Sequence, residues 1–440
     1  MLFFYIFFAK ITEKSNFLNF NKERIFMTIV EFYDKTAIEN MASTLLCSPD
    51  KVIFVGDNEK RINKSIEIYK KLAEDRGIEV EFIPQKLSRN NLQNCISVLS
   101  NIVETNEDCI FDIEGGDEIY HIALGVIFEK YGNRIQIHRF NIHTNTLADC
   151  DADGKVCATS PVELSIDENI RIYGGRIITS DEVEVGMYDW NFNDDFAKDI
   201  ELMWMLCTKN TGRWNSQIGC ISKLCAESRL NSELDFDASM EIVTTLMKKN
   251  SGYVNQFLLL LRDLEIYGLI RNLFYNDNVV SFVFKNEQVK RCLTVSGRLL
   301  EVFVALNAIR ATDKKGNILY NDVRTGVYID WDSVVAPEFT TDVANEIDVM
   351  VMKGLTPVFI SCKNGHFDVD ELYKLSVVAE RFGGKYARKV IIASESLEDT
   401  AKGSYLKARA KDMGIRFIDD IDKMPQTQID KEFRSLWLAP

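Results

Sequence analysis

The chain has 440 residues, of which 46% are hydrophobic and 27% are charged, and this composition excludes a largely disordered protein. The length predicts two or three domains. The ten cysteines include no C-x-x-C pair and there are only four histidines, so no zinc-ligand spacing is present. We interpret the scattered cysteines as buried free thiols and expect a protein of the reducing cytoplasm.

The net charge of −14 counts against a chain that binds nucleic acid over its whole surface, because phosphate contacts recruit Lys and Arg. The excess acid is unevenly distributed. Residues 290–440 contain 22 basic and 22 acidic residues, so all of the excess lies in residues 1–289. The objection therefore does not apply to the last third of the chain.

The N-terminal segment Met1–Phe8 is apolar, but it is too short to cross a bilayer and lacks the basic region and cleavage site of a signal peptide. We expect no membrane association. Residues 1–26 match nothing downstream and are treated as a poorly defined extension. Met27 precedes a clean strand pattern, so either Met1 or Met27 is the native start.

From Met27 to Phe140, short apolar runs alternate with segments in which apolar residues recur every three or four positions, which indicates strands alternating with amphipathic helices. The predicted strands are Thr28–Phe32, Val52–Val55, Val80–Ile83, Cys109–Ile113 and Ile135–Arg139, and the clearest helices are Glu59–Glu74 and Leu87–Val103. Repeated strand–helix units favour a parallel sheet with helices on both faces. We predict a Rossmann-like α/β domain over residues 27–142.

Residues 143–195 are rich in turns and short strands, such as Arg171–Ile178, and are interpreted as a connector. Residues 196–289 are predominantly helical, with a strong apolar helix over Tyr253–Tyr267, a turn, and a strand over Val279–Phe284. Helix, turn and small hairpin resemble a winged helix. A helical spacer or dimerisation element is the interpretation that we favour for this part.

The last part, residues 290–440, predicts a third domain of mixed α/β order. Its predicted elements are the helix Ser296–Arg310, the strands Thr325–Trp331, Glu346–Met352 and Pro357–Cys362, the helix Asp368–Arg381 and the strand Lys389–Ala393. A final helix and a strand ending near Ile418 follow.

Charged side chains mark two neighbouring strands of this third domain. Side chains repeat every two residues along a strand, so Glu346 and Asp348 share one face, as do Ser361 and Lys363 on the next strand. Asp348 and Lys363 come together only if the hairpin bends or its strands splay. The sequence alone also allows a solvent-exposed ion pair of little energetic value.

An aspartate facing a lysine suits hydrolysis of a phosphodiester. Asp348 would supply the hard oxygen ligand that Mg²⁺ or Mn²⁺ needs, with the backbone carbonyl of Cys362 as a further ligand. Lys363 would orient or help to deprotonate the attacking water, or offset charge in the transition state. Glu301, on the preceding helix, would complete the metal shell directly or through water.

The order of the surrounding elements distinguishes this pair from a chance ion pair. The elements come in the order of a helix that bears Glu, three strands that carry Asp and then x-x-Lys, and a covering helix. This order resembles the core of PD-(D/E)xK nucleases. Four motifs resemble those of CRISPR ancillary nucleases that carry a CARF (CRISPR-associated Rossmann fold) sensor domain: Leu299-Leu300-Glu301, Asn345-Glu346-Ile347-Asp348-Val349, Phe359-Ile360-Ser361-Cys362-Lys363 and Arg381-Phe382-Gly383-Gly384-Lys385-Tyr386. The fold that this resemblance implies for residues 290–440 is restriction-endonuclease-like.

The sequence departs from the nuclease signature at one position. Ser361 stands where the signature has its third acidic residue. The resemblance therefore implies a thinner metal shell, a single ion, or a shell that depends on Glu346 or Glu301. We count Ser361 among the candidate catalytic residues with Asp348, Lys363 and Glu301.

The N-terminal domain has loops suited to an anionic ligand at the carboxyl ends of its strands, where open α/β sheets bind ligands. Gly115 and Gly116 lie between a strand and a helix, so their backbone N–H groups can approach a phosphate. Glu114 and Asp117 beside them disfavour an anion unless they point away or hold a ribose hydroxyl. The candidate ligand residues are Lys35, Thr36, Asp57, Asn58, Gly115 and Gly116, although Thr36 could instead cap a helix.

The resemblance implies an endonuclease of CRISPR antiviral defence that acts as a homodimer. Cyclic oligoadenylate, expected to be cyclic tetra-adenylate, would bind between two CARF domains as an allosteric activator. With Mn²⁺ or Mg²⁺, the enzyme would cut single-stranded DNA or RNA, or a nicked duplex. Two other functions stay open: a ligand-responsive DNA-binding transcription regulator with a non-catalytic last domain, and a nuclease indifferent to nucleotide.

Overall fold

The computed structural model describes residues 26–150, 155–158, 161–179, 189–227, 233–332, 344–365, 367–394, 396 and 401–439. The predicted N-terminal extension, 1–26, lies almost entirely outside these ranges. Within them, no helix is long and apolar enough to cross a membrane.

The first sheet has seven strands in the order β3-β2-β1-β4-β5-β6-β7. The strands are β1 (Thr28–Phe32), β2 (Lys51–Gly56), β3 (Glu81–Lys86), β4 (Cys109–Asp112), β5 (Ile135–Asn141), β6 (Thr146–Asp149) and β7 (Lys155–Ala158). The helices of this part are α1 (Ala42–Cys47), α2 (Glu59–Asp75), α3 (Leu92–Thr105) and α4 (Glu118–Tyr131). The first five strands pair in parallel, which confirms the predicted Rossmann-like sheet, and β6 and β7 add antiparallel strands to it.

The strand order reverses between β1 and β4, the point at which open α/β sheets bind ligands. Two helices start at this edge. The side chain of Asn58 caps α2 by accepting the N–H of Arg61, and the side chain of Asp117 caps α4 by accepting the N–H of Ile119. Two positive helix ends therefore lie near the carboxyl edge of the sheet.

The segment predicted as a connector is shared by two sheets. β6 and β7 extend the first sheet, whereas β8 (Arg176–Ile177) pairs with a strand of the last sheet. Between them lies the helix α5 (Ile166–Ile172), so the predicted strand over Arg171–Ile178 is wrong in its first part. Ser165 and Glu168 form a reciprocal capping box that starts a helix here.

The middle part has the element order of a winged helix. It comprises α6 (Asp194–Thr208), α7 (Thr211–Glu227), β9 (Asp235–Ser239), α8 (Met240–Leu246), α9 (Ser251–Ile266), β10 (Ile270–Tyr275), β11 (Val279–Phe284) and α10 (Glu287–Thr294). The β10–β11 hairpin forms a three-stranded antiparallel sheet with β9. The middle part is therefore helical, as predicted, with the small sheet of a winged helix. β9 was not predicted, because it is a short, largely polar strand that gives little apolar signal. The role of this part as a spacer or dimerisation element stays a prediction.

The last part is a six-stranded mixed sheet in the order β16-β15-β14-β13-β12-β8. Its elements are α11 (Arg298–Arg310), β12 (Asp322–Asp330), β13 (Ala344–Lys353), β14 (Thr356–Lys363), α12 (Asp370–Gly383), β15 (Arg388–Ala393), α13 (Ala401–Asp412), β16 (Ile415–Ile418) and α14 (Gln426–Phe433). α11 shares an apolar core with Val349 and Val351, whereas α12 shares another with Met350 and Met352. The two helices therefore cover opposite faces of β13.

The first and last sheets share one apolar core through α5, which packs against both α2 and α12. Asn169 of α5 donates a hydrogen bond to the carbonyl of Phe382 at 2.7 Å. In the β1–α1 loop, the buried carboxylate of Glu39 accepts from the hydroxyl of Tyr386 at 2.7 Å and pairs with Lys385 at 2.5 Å. Ionic and apolar contacts therefore join the two sheet domains.

Candidate catalytic cleft and sensor pocket

The candidate catalytic cleft lies where β13 and β14 separate. Their antiparallel ladder ends at Val349 and Ile360, after which β14 continues beside β15. Asp348 and Ser361 follow at the opening, and Lys363 lies two residues further along β14. The strands splay as the sequence analysis required, and the Lys363 Nζ and Asp348 Oδ2 atoms lie 3.9 Å apart.

The lining of this cleft comes from three elements, β13, β14 and α12. Its residues are Asn345, Glu346, Ile347, Asp348, Ile360, Ser361, Lys363, Glu371, Lys374, Leu375 and Val378. The cleft therefore combines acidic and basic side chains against an apolar wall.

Asp348 is held in place by two donors from the next strand. The Ser361 hydroxyl donates to Asp348 Oδ2 at 3.1 Å, and the backbone N–H of Cys362 donates to the same oxygen at 2.6 Å. Ser361 therefore orients the aspartate that was predicted to bind metal. Burial raises the pKa of the Cys362 thiol well above its usual value, so the sulfur is a neutral thiol rather than a thiolate ligand.

Lys363 is bound mainly by a carboxylate that the sequence analysis did not identify. Its ammonium lies 2.8 Å from Glu371 Oε2, and the other oxygen of Glu371 pairs with Lys374 at 2.8 Å. Burial alone would lower the pKa of Lys363, but Asp348 and Glu371 outweigh burial and raise that pKa above its usual value. Lys363 is therefore a cation at neutral pH.

Glu301 projects from the first turn of α11 and is bonded to Arg298. Burial raises the pKa of Glu301 to about 7. Arg298 opposes this shift, and the carboxylates of Asp348 and Glu346 add to it. Arg298 also lies 3.9 Å from Glu346. Glu301 is therefore electrostatically coupled to Asp348 and Glu346, but it is not among the residues that line the cleft. Its predicted place in the metal shell stays a prediction.

These carboxylates fit a hard divalent cation by donor type and by charge. Asp348, Glu301 and Glu346 offer oxygen ligands, and a cation would relieve the repulsion that contributes to the raised pKa of Glu301. They do not form a closed cage. Across the residues that the structure describes, no three His, Cys, Asp or Glu side chains are grouped to hold a metal.

The second candidate site is a cavity of about 390 Å³ at the carboxyl edge of the first sheet. Its lining residues are Tyr33, Asp34, Lys35, Gly56, Asp57, Asn58, Arg61, Arg89, Gly116, Asp117 and Tyr120. Four of the six predicted ligand residues, Lys35, Asp57, Asn58 and Gly116, are in this lining. We call this cavity the sensor pocket.

Thr36 and Gly115 are not among the lining residues. Thr36 is buried, and a Cβ added to Gly384 of the last domain would lie 3.1 Å from its methyl group. It is not a helix cap either, because α1 starts only at Ala42. A Cβ on Gly115 would lie 2.6 Å from the carbonyl oxygen of Phe32, so the loop needs glycine there for packing rather than for ligand contact.

The acidic residues beside the glycines have different environments. Glu114 is buried away from the pocket lining, and burial, followed by the charges of Asp112 and Glu39, raises its pKa to about 7. Asp117 does line the pocket, but it pairs with Arg89 at 3.1 Å. Neither acid therefore presents an uncompensated charge to an anionic ligand.

The sequence analysis missed two arginines of the pocket. Arg61 lies in the first turn of α2, and Arg89 lies in the loop after β3. Basic residues directly after strand ends were the available signal, because those loops converge at one edge of a parallel sheet.

The arrangement defines a class of fold: a Rossmann-like sheet joined through a winged-helix part to a restriction-endonuclease-like sheet. The sequence matches no protein-family model, and a comparison with curated proteins finds no relative.

Solved structures share this fold over nearly the whole chain. The structure of protein VC1899 from Vibrio cholerae aligns with a TM-score of 0.68 and 19% identity, covering 94% of this chain and 96% of that one. Can2 from Sulfobacillus thermosulfidooxidans, solved in complex with cyclic tetra-adenylate, aligns with a TM-score of 0.62 and 16% identity, covering 94% and 99%. The predicted resemblance is confirmed at the level of the fold.

Proposed function

We propose that the chain is a metal-dependent endonuclease of CRISPR defence in the cytoplasm, activated by a cyclic oligoadenylate. Residues 27–142 would sense the nucleotide, and residues 290–440 would cut DNA or RNA. The observation that carries this proposal is the meeting of Asp348 and Lys363 in one cleft, at 3.9 Å, within the predicted nuclease domain.

The raised pKa of Lys363 favours one of the roles left open by the sequence. An ammonium that stays protonated at neutral pH cannot accept a proton from water. Lys363 would instead contact the scissile phosphate and offset the negative charge that develops in the transition state. Glu371 holds the ammonium at the cleft for this purpose.

Asp348 is the proposed principal ligand for Mn²⁺ or Mg²⁺, with Glu301 coordinating directly or through water and the Cys362 carbonyl as a further ligand. When bound, such an ion neutralises charge on the phosphate and lowers the pKa of a bound water. The hydrogen bonds from Ser361 and from the Cys362 amide fix the Asp348 carboxylate before the ion arrives.

The sensor pocket has the features expected for cyclic tetra-adenylate. Lys35, Arg61 and Arg89 lie in its lining and offset three aspartates, Asp34, Asp57 and Asp117, two of which pair with Arg89. The N-termini of α2 and α4, which favour an anion, lie at the same edge. Can2, which shares the fold, was solved with this nucleotide. Support for the ligand therefore comes from the two helix ends and from likeness.

The outer face of α4 supports a homodimer. Ile122 and Val126 are 57% and 47% exposed on this helix, while Asp117 and Tyr120 at its start line the sensor pocket. An apolar helix face beside a ligand pocket is suited to contact with a second copy. The nucleotide would then bind between two first domains.

The test is cleavage of a labelled single strand and a supercoiled plasmid, with and without Mn²⁺ and cyclic tetra-adenylate. We expect cleavage to require the metal and to increase with the nucleotide. Asp348→Ala and Lys363→Ala should each lower the rate by about a hundredfold or more. Lys423→Ala, which removes an exposed partner of Asp420 in the same domain, is the control and should cut like the parent.

Cleavage at the parent rate by both cleft variants would contradict the proposed site. Cleavage at the same rate with and without the nucleotide would contradict the sensing role proposed for residues 27–142. It would support the nuclease that is indifferent to nucleotide. These outcomes separate the catalytic part of the proposal from the regulatory part.

The winged-helix topology favours a second candidate, the ligand-responsive transcription regulator. Its charges do not. Arg262 is the single basic residue of α9, which also carries Asp263 and Glu265, and recognition helices that enter DNA grooves depend on basic contacts to phosphate. Operator binding without metal-dependent cleavage would establish this alternative.

A further inference from the structure

A surface of the last domain next to the cleft exposes apolar and aromatic side chains that the proposed chemistry does not use. α12 buries one side, and on its other side Tyr373 and Val377 are 42% and 54% exposed. On α13, Tyr405 is 57% exposed. We call Tyr373, Val377, Tyr405 and Arg409 the aromatic platform.

Arg409 connects the two helices of the platform. Its guanidinium donates to the hydroxyl of Tyr373 at 2.8 Å, and its Cζ atom lies 5.5 Å from the centre of that ring. Tyr405 lies one helical turn before Arg409, so their side chains are neighbours on α13. The two tyrosines and the arginine therefore belong to one continuous surface.

The platform adjoins the catalytic cleft. Lys374, next to Tyr373 on α12, lines the cleft and pairs with Glu371 at 2.8 Å, and Glu371 pairs with Lys363 at 2.8 Å. The platform and the cleft therefore share the helix α12, on which Tyr373 is next to the cleft residue Lys374.

The basic residues of this region lie on α13 and at Lys374. α13 carries four basic residues and one acidic residue, and two of the four are paired with acids, Lys402 with Asp368 and Lys407 with Asp419. The other two are Arg409 of the platform and Lys411. Exposed aromatics interleaved with basic side chains are typical of surfaces that bind single strands, because unpaired bases stack on the rings while the phosphates contact the cations.

We propose that the aromatic platform binds single-stranded nucleic acid, with bases stacked on Tyr373 and Tyr405 and phosphates at Arg409 and Lys374. This inference rests on the proposed nuclease function and names the substrate class of the same site. A duplex keeps its bases paired and stacked on each other, so it would not use the rings.

The test measures binding rather than cleavage. The full chain, kept in EDTA so that it cannot cut, is titrated onto a fluorescent oligo-dT strand and onto a duplex hairpin, and anisotropy is recorded. We expect Tyr373→Ala and Tyr405→Ala each to weaken single-strand binding about tenfold, and Tyr→Phe at either position to retain it. Phe26→Ala, which removes an aromatic ring that is 52% exposed just before β1, is the control and should bind like the parent.

Three outcomes would overturn the inference. Single-strand binding that is unchanged in both alanine variants would show that the platform does not bind the strand. An equal loss of duplex binding would show that the platform has no preference for single strands. A lower mass in sedimentation for the variants assigns the surface to a second copy of the chain. Loss of single-strand binding in a protein that never cleaves would contradict the proposed function while supporting the platform.

Discussion

Lys363 lies between two carboxylates at unequal distances, 2.8 Å from Glu371 and 3.9 Å from Asp348. Glu371 also pairs with Lys374, so its charge is divided between two ammonium groups. At the scale of single residues, the cleft therefore contains a fixed cation that a phosphate can approach. Asp348 is fixed in a different way, by hydrogen bonds from the neighbouring strand.

Removal of the Ser361 hydroxyl tests how Asp348 is held. Ser361→Ala deletes one of two donors to Asp348 Oδ2 and leaves the Cys362 N–H at 2.6 Å. We expect the initial rate of cleavage in Mn²⁺ to fall by about tenfold or less, with Ser361→Thr retaining most of the parent rate. A loss as large as that of Asp348→Ala would show that Ser361 takes a direct part in the chemistry.

Glu114 in the first domain predicts a pH dependence of stability. Its pKa in the folded chain is raised to about 7, first by burial and then by Asp112 and Glu39. The stability that it contributes is full below the unfolded-state pKa and is lost as the pH rises through about 7. Glu114→Gln should therefore be more stable than the parent at pH 8.

This stability difference should shrink by on the order of 1 kcal/mol between pH 8 and pH 6. Denaturant unfolding of both proteins at the two pH values measures it. A difference that does not change with pH would mean that Glu114 titrates like an exposed carboxylate.

Sequence reasoning selected Asp348 and Lys363 because the order of elements around them resembles that of PD-(D/E)xK nucleases. The strand period alone left open whether the two side chains meet. Sequence reasoning missed Glu371 because the role of this residue depends on how α12 packs beside Lys363, which no local pattern encodes. Thr36 was placed wrongly for the same reason, since its burial depends on Gly384 of another domain.

At the scale of elements, α12 joins the two candidate sites. Glu371 in its first turn contacts Lys363, and residues just beyond its end, Lys385 and Tyr386, contact Glu39 in the β1–α1 loop. The same loop supplies Lys35 to the sensor pocket. One helix of about 20 Å therefore spans the distance between sensor and cleft.

Glu39→Gln should uncouple cleavage from the nucleotide. It removes the charge that pairs with Lys385 but keeps the size of the side chain. We expect the ratio of stimulated to unstimulated cleavage to fall about tenfold while the affinity for cyclic tetra-adenylate stays near that of the parent. Lys209→Gln, which removes a surface contact to Asp263 within the middle part, is the control. An unchanged ratio in Glu39→Gln would exclude this contact from regulation.

The elements that the sequence predicted well carry a clear apolar pattern, such as β1, α9 and β11. The sequence analysis missed α5, which has seven residues, and β9, which has five. α5 has a local signal in the capping box of Ser165 and Glu168, which the sequence analysis did not use. β9 is largely polar and depends on its pairing with β11, so no local pattern predicts it.

At the scale of the whole molecule, the first and last domains share one core, so the fold is not a chain of independent units. The sequence predicted three domains from changes in periodicity but could not show this joint core, because the residues that form it are hundreds of positions apart. The shared core is a physical route by which a change at one candidate site can reach the other.

The proposed homodimer predicts sensitivity to charge on α4. Ile122→Glu places a carboxylate on the exposed apolar face and should lower the sedimentation mass from dimer to monomer and weaken binding of cyclic tetra-adenylate. Ile318→Glu, at a position that is 76% exposed in the last domain, is the matched control and should stay dimeric. A dimeric Ile122→Glu protein would place the interface elsewhere.

The claim that Asp348 and Lys363 act on one phosphate is tested most directly by a double-mutant cycle on the cleavage rate. Asp348→Ala, Lys363→Ala and the double variant are compared with the parent in Mn²⁺ and cyclic tetra-adenylate. If the two groups work as a unit, the double variant cuts within about threefold of the slower single variant. Losses that multiply, or single variants that cut at the parent rate, would contradict the account.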